Sequence, residues 1–574
     1  MGRILNAVRR TIQCEGIKGF PGLARRAKYR LFNYRQETSR EQEEKRRYQL
    51  LSAQMTPDAN ERARQHAAVF QHRLSIVIPT WNTEPVFLQS LADSLMNQTC
   101  DQWEACLYDG CSTRKETRAL LQQLSKRDAR FRIELGSENL RISGNTNRAA
   151  KLATGDWIAL CDHDDLLTPD AVYHILTAAE AGADFVYSDE DRCSEDDHEL
   201  FLPHLKPDFS PDALRSGNYI CHLMAMEKSL FDRVGGLRSD FDGSQDHDLA
   251  LRATEQAHHI VHIPRVLYHW RVVGSSFSHQ SAMRCYDAAV HAVAEQIDRQ
   301  HMNASVHMDA LQPHMVYAVP PGTKASLIIS VSASRLTPWL RRLLGRTSWP
   351  VHEIILVTRQ PAPVSVRDVS LLTVPTLSDA VERSTGTHLV FLAQGMLPLS
   401  KNWLRELLSL AAQPDVAMAG ANILDRRWRY LHAGYAVDVP GGAVSYLSGQ
   451  SKWGACYQNL NRKLREVSGV SSAACAIARE KYRQLGGFGD YESDLRGAVL
   501  GVHAMQAGYR NLLTPYADMY YRKKTPCLTG PAPAEDLRRM VQDVGEHPAE
   551  HYYSPLFEKQ LGCMMVDTER KHEP

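Results

Sequence analysis

The stretch GDWIALCDHDD at residues 155–165 joins an apolar run, WIALC, directly to a group of acids that includes Asp162 and Asp164. A short apolar run that ends abruptly in polar residues is typical of a buried parallel strand. In open α/β sheets, ligands bind at the carboxyl ends of such strands. The acids therefore lie where we expect a ligand site.

Sequence on both sides of this stretch has the same texture. Four further strand-like runs occur, at 74–80, 103–109, 131–135 and 184–187. Helical patterns lie between them, at 85–97, 114–127, 143–153 and 169–181. Strands that alternate with helices of this length predict an α/β domain with a parallel sheet.

The same elements then recur in the same order. KASLIISVS at 324–332 resembles the first strand, and HEIILVT at 352–358 matches WEACLYD at 103–109. GTHLVFLAQG at 386–395 matches GDWIALCDHD. LGGFGDY at 485–491 matches VGGLRSDFDG at 234–243. These matches predict an internal duplication of a whole domain rather than a short solenoid repeat.

The pattern divides the chain into five parts. We predict a basic helical arm and spacer, an α/β domain, a helical linker, a second α/β domain and a C-terminal tail with helical content, at residues 1–72, 73–279, 280–323, 324–525 and 526–574. The predicted fold class is α/β, with two tandem domains.

Composition narrows the class of protein. The chain has 574 residues and a formal net charge of +1, which does not suit a general nucleic-acid binder. No uninterrupted apolar run reaches membrane-span length, and the N-terminus has no apolar core of signal-peptide length. The 12 cysteines include no CxxC pair, which indicates reduced, mostly buried thiols. We expect a cytoplasmic protein.

The first 35 residues are strongly basic. They contain nine Lys or Arg and a single acid, Glu15, with apolar residues interleaved. This arm could lie on an anionic membrane surface, which would place the protein on the inner face of the cytoplasmic membrane. It could equally be a solvated helix that packs on its own domain.

Asp162 and Asp164 are the strongest metal candidates. Two carboxylates at alternate positions by a strand end can share Mg²⁺ or Mn²⁺. The alternative is an acidic turn that caps the helix beginning near Pro169. A calcium EF-hand loop is excluded, since Leu166 and Leu167 stand where an oxygen ligand and a glycine are needed.

Three further positions carry a candidate chemistry and a structural alternative. Asp109 ends a strand and could accept a hydrogen bond from a pyrimidine imide, or simply shape a turn. Asp246 opens the helical pattern DHDLALRA, where an acid also serves as a helix cap. His269, in HIPRVLYHWR, could be a metal ligand or a structural histidine.

These residues carry a resemblance. Residues 74–279 resemble a family-two inverting glycosyltransferase with the GT-A nucleotide-sugar fold, most of all the bacterial O-antigen and capsule branch with its rhamnosyltransferase-like enzymes. The matching stretches are IVIPTWN (76–82), WEACLYDGCST (103–113), ENLRISGNTNRAAKLATGDWIALCDHDDLLTPDA (138–171), YSDED (187–191), NYICHL (218–223), VGGLRSDFDGSQDHDLALR (234–252) and HIPRVLYHWR (262–271).

The resemblance implies a role for each matching position. Asp246 would be the catalytic base. The cation would be held by Asp162, Asp164 and His269. The donor nucleotide sugar would contact Pro79, Thr80, Asn82, Asp109, Asp162, Asp164 and Arg141. The acceptor or the sugar would lie near Asp189 and Glu190.

This chain departs from the family at two places. The family usually has an Asp and then a Gly after the base-contacting Asp, and here those positions are Gly110 and Cys111. Arg141 stands where many relatives have Gly, so it could touch the diphosphate or simply be exposed. Both departures affect the expected donor contacts.

The second copy, at 324–525, also resembles a GT-A domain but lacks these groups. Ala393, Gln394 and Gly395 replace the Asp-His-Asp triplet. The last helix offers Gly497 and Val499 instead of acids, and Tyr521 stands near the expected histidine. We predict a catalytically silent domain that serves acceptor binding, assembly or stability. A displaced acidic set, Asp490, Glu492 and Asp494, is the alternative.

The predicted function is a metal-dependent transfer of a sugar from a UDP-, dTDP- or GDP-linked donor to a glycan acceptor, expected to be lipid-linked. A nucleotidyltransferase is disfavoured, because PTWNTEP at 79–85 has neither the Gly nor the Lys of a phosphate-cradling loop. A non-catalytic glycan-binding scaffold is the other alternative, and the intact acids Asp162, Asp164 and Asp246 argue against it.

Overall fold

The structure is a computed structural model of the chain. It describes residues 42–273, 282–309, 312–331, 336–359, 369–439, 442–454, 456–522, 532–558 and 566–568. The predicted basic arm at 1–35 lies outside the described residues, as do parts of the predicted linker and tail.

The first half of the molecule is a nine-stranded sheet flanked by helices. It is preceded by helix α1 (residues 42–55) and α2 (Ala59–Ala67). Its elements in chain order are β1 (Leu74–Thr80), α3 (Pro85–Met96), β2 (Trp103–Asp109), α4 (Lys115–Arg127), β3 (Phe131–Leu135), α5 (Arg141–Ala150), β4 (Trp157–Leu160), β5 (Leu166–Leu167), α6 (Ala171–Glu180), β6 (Phe185–Cys193), β7 (Leu200–His204), α7 (Pro211–Arg215), β8 (Met224–Glu227), α8 (Lys228–Arg233), α9 (Gln245–Thr254) and β9 (Ile260–Arg271).

A helix and a hairpin connect the two halves. They are α10 (Ala282–Arg299), β10 (Ala304–Asp309) and β11 (Gln312–Tyr317). The two strands pair with each other in antiparallel register and form a separate small sheet.

The second half is a ten-stranded sheet. Its elements, with the two-stranded ribbon β19–β20 and the final helix, are β12 (Ala325–Ser330), α11 (Leu336–Leu344), β13 (Glu353–Val357), β14 (Ser370–Val374), α12 (Leu377–Arg383), β15 (His388–Ala393), β16 (Met396–Pro398), α13 (Trp403–Ala411), β17 (Val416–Leu424), β18 (Tyr430–His432), β19 (Tyr435–Ala436), β20 (Val444–Ser445), β21 (Arg465–Glu466), β22 (Ala474–Ala478), α14 (Arg479–Gln484), α15 (Leu495–Gln506), β23 (Arg510–Tyr521) and α16 (Ala534–Val544).

The two sheets have the same topology. The first runs β3-β2-β1-β4-β8-β6-β9-β5, and the second runs β14-β13-β12-β15-β22-β17-β23-β16. The four leading strands are parallel in each sheet, and the next strand, β8 or β22, is antiparallel to them. The prediction of an α/β fold with two tandem domains is confirmed.

The carboxyl edge of the parallel strands is where the chain places its polar residues. Strand β1 is buried along its whole length, as is β2, so these strands form the centre of an apolar core. Because β1, β2 and β4 run parallel, Thr80, Asp109 and the residues after Leu160 emerge at one edge. This edge is the site predicted from the sequence.

A buried carboxylate holds the opposite end of each sheet. Glu104 accepts hydrogen bonds from Ser75 Oγ at 2.8 Å, Thr154 N at 2.6 Å and Gly155 N at 3.1 Å. A Cβ on Gly155 would collide with Ser75 Oγ and the Arg73 carbonyl, so only glycine fits there. The network ties β1, β2 and the turn before β4 together.

The second half repeats this network. Glu353 accepts from Ser326 Oγ at 2.6 Å, Thr385 N at 2.7 Å and Gly386 N at 3.2 Å. A Cβ on Gly386 would likewise collide with Ser326. Glu and Thr are 50 residues apart in the first copy and 32 in the second. The second copy is therefore shorter in the stretch that follows its second strand.

The two halves share a buried ionic interface. Asp212 in α7 is bonded to Arg510 at the start of β23, and Arg510 Nη1 donates to Glu466 Oε1 at 2.6 Å. Glu466 Oε1 also accepts from the Asp212 N–H at 2.9 Å. Burial would raise the pKa of Asp212, but Arg510 and Arg215 hold it below its ordinary value. The halves are thus joined by an ion pair whose two members also pair within their own halves, Asp212 with Arg215 and Arg510 with Glu466.

The predicted spacer is not a free linker where the structure describes it. Tyr48 and Leu51 of α1 are fully buried, and Arg47 Nη1 lies 2.9 Å from Glu558 Oε2 near the C-terminus. Helix α1 therefore packs on the body of the molecule. Among the described residues, the structure contains no helix with the length and apolar character that crossing a bilayer requires.

Candidate functional site

Three potential metal ligands converge at the carboxyl edge of the first sheet. One ligand atom each from Asp162, Asp165 and His222 lie within 4.8 Å of one another, the sole such group found in the part of the chain that the structure describes. The Nε2 atom of His222 lies 3.9 Å from Asp162 Oδ2. The ring of His222 stacks on Tyr268 with 4.6 Å between centroids, which fixes its position.

Negative charge is concentrated around Asp162. Although 43% of this side chain is exposed, desolvation within the site raises the pKa of its carboxyl. His222 opposes the shift, whereas the charges of Asp164 and Asp246 add to it.

Asp164 and Asp165 have different surroundings. Asp165 is buried, and its two oxygens accept from Tyr268 Oη at 2.5 Å and from the Arg271 N–H at 2.8 Å. Asp164 is 34% exposed, and His163 Nδ1 lies 3.6 Å from Asp164 Oδ1. Asp165 is therefore committed to holding β9, while Asp164 is open to a ligand.

His269 is held from behind by a chain of two hydrogen bonds. Its Nδ1 lies 2.6 Å from Asp191 Oδ1, and the other carboxylate oxygen of Asp191 accepts from the hydroxyl of Tyr48. A carboxylate on one ring nitrogen orients a histidine and leaves the second nitrogen for a ligand. The structure does not include His269 in the Asp162 group, but it places the ring in strand β9 opposite Leu166.

Asp246 is the accessible acid of its helix. It lies in the first turn of α9, and the Asn218 side-chain amide donates to Asp246 Oδ2 at 2.8 Å. Asp248, two residues on, is buried and paired with Arg238 and Arg252. The carboxylate of Asp246 is therefore positioned and still open on one side.

The predicted donor contacts lie at the ends of β1 and β2. Thr80 Oγ1 donates to the Tyr108 carbonyl at 3.1 Å, next to Pro79 in the same strand. Asn82 Oδ1 accepts from the Thr113 N–H at 2.8 Å. Asp109 is fully buried, and both of its oxygens accept from Ser112. The family resemblance implies donor contacts for Asp109 and Asn82. In the structure, both side chains accept hydrogen bonds from the loop after β2.

Arg141 begins helix α5 in a left-handed conformation. Its φ is 62°, its side chain is exposed, and its N–H donates to Asn139 Oδ1 at 2.9 Å. A non-glycine residue at positive φ is strained, and the family's usual glycine would relieve that strain.

Asp189 and Glu190 are buried rather than surface-facing. Asp189 Oδ1 lies 2.9 Å from His262 Nε2 and accepts from the Lys206 N–H at 2.7 Å. Burial would raise the pKa of Glu190, but Lys206 and His204 hold it at about 2. The Glu190 carboxylate also accepts from the His222 N–H at 2.8 Å. Through that bond Glu190 acts on the edge by holding His222.

In the part of the second half that the structure describes, the same edge has no group of three metal-ligating side chains. Its strand β15 ends at Ala393, and β16 pairs Leu397 with Tyr520 in the way that β5 pairs Leu166 with His269. Tyr520, rather than the neighbouring Tyr521, therefore occupies the register position of the histidine. Asp494 is turned inward, accepting from Ser472 N at 2.9 Å and from Tyr435 Oη at 2.8 Å.

The last long helix of the second sheet, α15, packs closely on neighbouring backbone. A Cβ on Gly497 would collide with the Val470 carbonyl, and one on Gly501 would collide with the Ser468 carbonyl. Helix α15 thus lies directly against the backbone of residues 468–470. No side chain of the length of Asp fits where the second copy would need its base.

Sequence reasoning missed four residues of the first site. Asp191 and Tyr48 hold His269, Asn218 holds Asp246, and His222 stands beside Asp162. Asn218 and His222 lie within NYICHL, a stretch that the family resemblance had singled out, so the motif itself was a signal. Tyr48 gave none, because 143 residues separate it from Asp191.

Comparison with known proteins places the first half in a family. The fold and the edge described above define an α/β domain that gathers carboxylates where open sheets bind ligands. Residues 75–235 match the family described as Glycosyl transferase family 2, and this part of the chain is a domain of that family. The predicted resemblance is confirmed.

Two similar proteins extend beyond this domain. An uncharacterized protein of Sinorhizobium fredii, y4gI, is 30% identical over 485 residues, covering 78% of this chain and 53% of that protein. The O-antigen biosynthesis protein RfbC of Myxococcus xanthus is 28% identical over 540 residues, covering 82% of this chain and 41% of RfbC. The chain thus spans about half the length, or less, of these relatives.

Solved structures resemble a smaller part. A mannosyltransferase of Pyrobaculum calidifontis, PcManGT, solved with GDP-Man and Mn²⁺, is 18% identical, with a TM-score of 0.32. The match covers 41% of this chain and 70% of that one.

Proposed function

We propose that this chain is a metal-dependent, inverting glycosyltransferase that moves a sugar from a nucleoside-diphosphate sugar to a glycan during bacterial surface-polysaccharide synthesis. The observation that carries the proposal is the placement of Asp162 and Asp164 directly after β4, with Asp246 in the first turn of α9, in a family-two domain. The relative named for O-antigen biosynthesis, similar over most of this chain, supports the pathway class.

The residues at this edge fit a divalent cation. Oxygen ligands with an added imidazole suit Mn²⁺ or Mg²⁺, and a cation relieves the repulsion between neighbouring carboxylates. We assign the cation to Asp162 and Asp164, with His269 as the third protein ligand, because Asp165 is committed to Tyr268 and Arg271. When bound, the cation would stabilise the negative charge of the departing diphosphate.

The chain's own residues would handle the proton and the donor. Asp246, held by Asn218, accepts the proton of the acceptor hydroxyl as it attacks. Attack from the face opposite the leaving group inverts the anomeric carbon. Asp109, at the end of β2, lies on the side of the edge where the nucleoside would be bound. Nucleotide titration decides whether the nucleoside of the donor is uridine, thymidine or guanosine.

The second half is proposed to be catalytically silent. Its edge carries Ala393 and Gly395 where the first carries Asp162 and Asp164, and α15 is packed against backbone at Gly497. A single working site therefore serves the chain.

The acceptor is proposed to be a lipid-linked glycan, met at the inner face of the cytoplasmic membrane. The basic residues 1–35 support this proposal by their charge. Vesicles of phosphatidylglycerol should bind the full chain and release a variant that lacks residues 1–35. Equal binding of both proteins would remove the membrane from the proposal.

Calorimetric titration tests the donor site. UDP, dTDP and GDP are each titrated with Mn²⁺, with Mg²⁺ and with a chelator. We expect one nucleotide to bind at a stoichiometry near one, only when the metal is present. Asp164→Asn should abolish this metal-dependent binding.

Asp240→Asn is the matched control. Asp240 is an exposed acid a few residues before Asp246, outside the group at the edge, and its loss should leave nucleotide binding unchanged. Metal-independent binding, or full binding by Asp164→Asn, would contradict the metal assignment. Failure of every nucleotide to bind would favour a glycan-binding scaffold.

A further inference from the structure

A cleft lies at strands β16 and β23 of the second sheet. The cleft has a volume of about 430 Å³ and is lined by Arg342, Arg346, Leu397, Leu399, Trp428 and Tyr520. This volume is within the range of small-molecule sites. Tyr520 holds the register position that His269 holds in the first half.

Aromatic rings form one wall of the cleft. Trp428 lies 5.5 Å from Tyr520 and 5.7 Å from Trp453, measured between ring centroids. Trp428 has a φ of 60°, an uncommon and costly conformation for so large a residue. The turn pins it there, since the Trp428 N–H donates to the Asp425 carbonyl at 3.0 Å and the Lys452 N–H donates to the Trp428 carbonyl at 2.8 Å.

Two arginines form the other wall. Arg342 and Arg346 are both exposed. Arg346 Nη1 donates to the Pro398 carbonyl at 3.1 Å, which fixes its guanidinium beside β16. Arg426 and Arg427, in the turn that carries Trp428, add positive charge nearby. The cleft is cationic and has a flat apolar face.

We infer that this cleft binds an acidic saccharide through stacking on Trp428 and Tyr520 and charge pairing with Arg342 and Arg346. The C–H face of a sugar ring packs on an aromatic ring, and a guanidinium matches a carboxylate or phosphate in a bidentate fashion. The inference rests on the proposed function, because the sugar chemistry of the first half is what makes a saccharide the expected occupant. The silent half would then hold part of the growing glycan.

Binding to the full chain tests the inference. The probes are tetragalacturonate, its neutral methyl ester and glucose 1-phosphate, followed by calorimetry and by tryptophan fluorescence. We expect saturable binding of tetragalacturonate and at least tenfold weaker binding of the ester. Tighter binding of glucose 1-phosphate than of tetragalacturonate would identify phosphate as the anion that the arginines accept.

Variants assign the binding to the cleft. The double variant Arg342→Gln/Arg346→Gln should bind tetragalacturonate at least tenfold more weakly than the wild type. Arg341→Gln is the matched control, because Arg341 is an exposed arginine of α11 outside the cleft lining. This variant should bind tetragalacturonate as the wild type does. Trp428→Leu should weaken the ester and the acid alike. Should it fail to fold, the two exposed arginines still decide the question.

Three outcomes would overturn the inference. They are no saturable binding by the wild type, unchanged binding by the double variant, and equal loss in Arg341→Gln, which would indicate diffuse charge attraction. The donor site is tested separately. Asp164→Asn should keep saccharide binding, and Arg342→Gln/Arg346→Gln should keep nucleotide binding, so the failure of one proposal leaves the other measurable.

Discussion

The two halves of this molecule are alike at one end of their sheets and different at the other. At the amino ends, Glu104 and Glu353 accept the same set of hydrogen bonds from Ser, Thr and Gly. At the carboxyl ends, Asp162 and its neighbours in the first copy correspond to Ala393 and its neighbours in the second. Groups that hold the strands together were kept in both copies, whereas groups available to a ligand were kept in one. Fold and chemistry in this chain therefore depend on separate residues.

The largest effect should come from the base. Asp246→Asn removes the proton acceptor while Asn218 can still bond to the new side chain, so turnover should fall by about 10²–10⁴. Nucleotide affinity should change little, because the base acts on the acceptor. Steady-state transfer and calorimetry measure the two quantities, with Asp240→Asn as control. A variant that retains turnover would mean that the second half, or another acid, supplies the base.

The free energy of unfolding of the second half should depend on pH through a residue that has no counterpart in the first half. Glu550, from the C-terminal segment, accepts hydrogen bonds from Val437 N at 2.6 Å and from Ser468 Oγ at 2.9 Å. These bonds hold the C-terminal segment against the second half. Burial raises the pKa of Glu550 from 4.5 to about 7. Its contribution to stability is therefore fully present below about pH 4.5 and is lost as the pH rises through 7.

Glu550→Gln should remove this dependence. The variant should match the wild type near pH 4.5 and exceed its free energy of unfolding by on the order of 3 kcal/mol above pH 8. Urea denaturation across this range measures the difference. Glu546→Gln, an exposed acid in the same segment, should follow the wild type throughout. Parallel curves for wild type and Glu550→Gln would show that folding does not shift the pKa of Glu550.

The shared network should make the two halves respond alike. Glu104→Gln and Glu353→Gln each replace a buried acceptor of several hydrogen bonds, so each should lower the free energy of unfolding by about 2 kcal/mol. Glu104→Gln should cost slightly more, since Arg73 and Arg132 lie 3.8 and 3.7 Å from its carboxylate. Denaturation at pH 7 measures both. A cost confined to one half would break the structural equivalence.

The smallest effect concerns the support behind His269. Tyr48→Phe removes one hydroxyl from Asp191 and should weaken Mn²⁺ binding, measured without donor, by about 3- to 10-fold. Tyr173→Phe, a half-buried tyrosine of α6, is the control. Unchanged metal affinity in Tyr48→Phe would show that Asp191 alone orients the histidine.

Local pattern was sufficient to predict much of this molecule. The apolar runs and the glycine turns predicted both sheets and their repetition, because a buried strand consists of consecutive apolar residues. Asp162 and Asp164 stood out because they follow a strand at once. Contacts between distant segments could not be read in this way. Arg510 reaches Asp212 across 298 residues, and nothing near either residue indicates the other.

The sequence also could not show which acidic side chains are already occupied by hydrogen bonds within the protein. Asp164 and Asp165 are neighbours with the same chemistry, yet Asp165 is bound to Tyr268 and Arg271 while Asp164 is open. Likewise, Glu190 looks like a surface acid in YSDED but is buried beside Lys206. Such differences follow from packing between elements, which no single stretch records.

The buried bridge from Asp212 to Arg510 and Glu466 bears on how such a gene can evolve. A duplicated copy without chemistry is ordinarily free to be lost. Deletion of the second half would expose Asp212 and Arg215, which still pair with each other, and would uncover apolar residues that both halves contribute to one core. The second half would then be retained for folding, whether or not it has a site of its own.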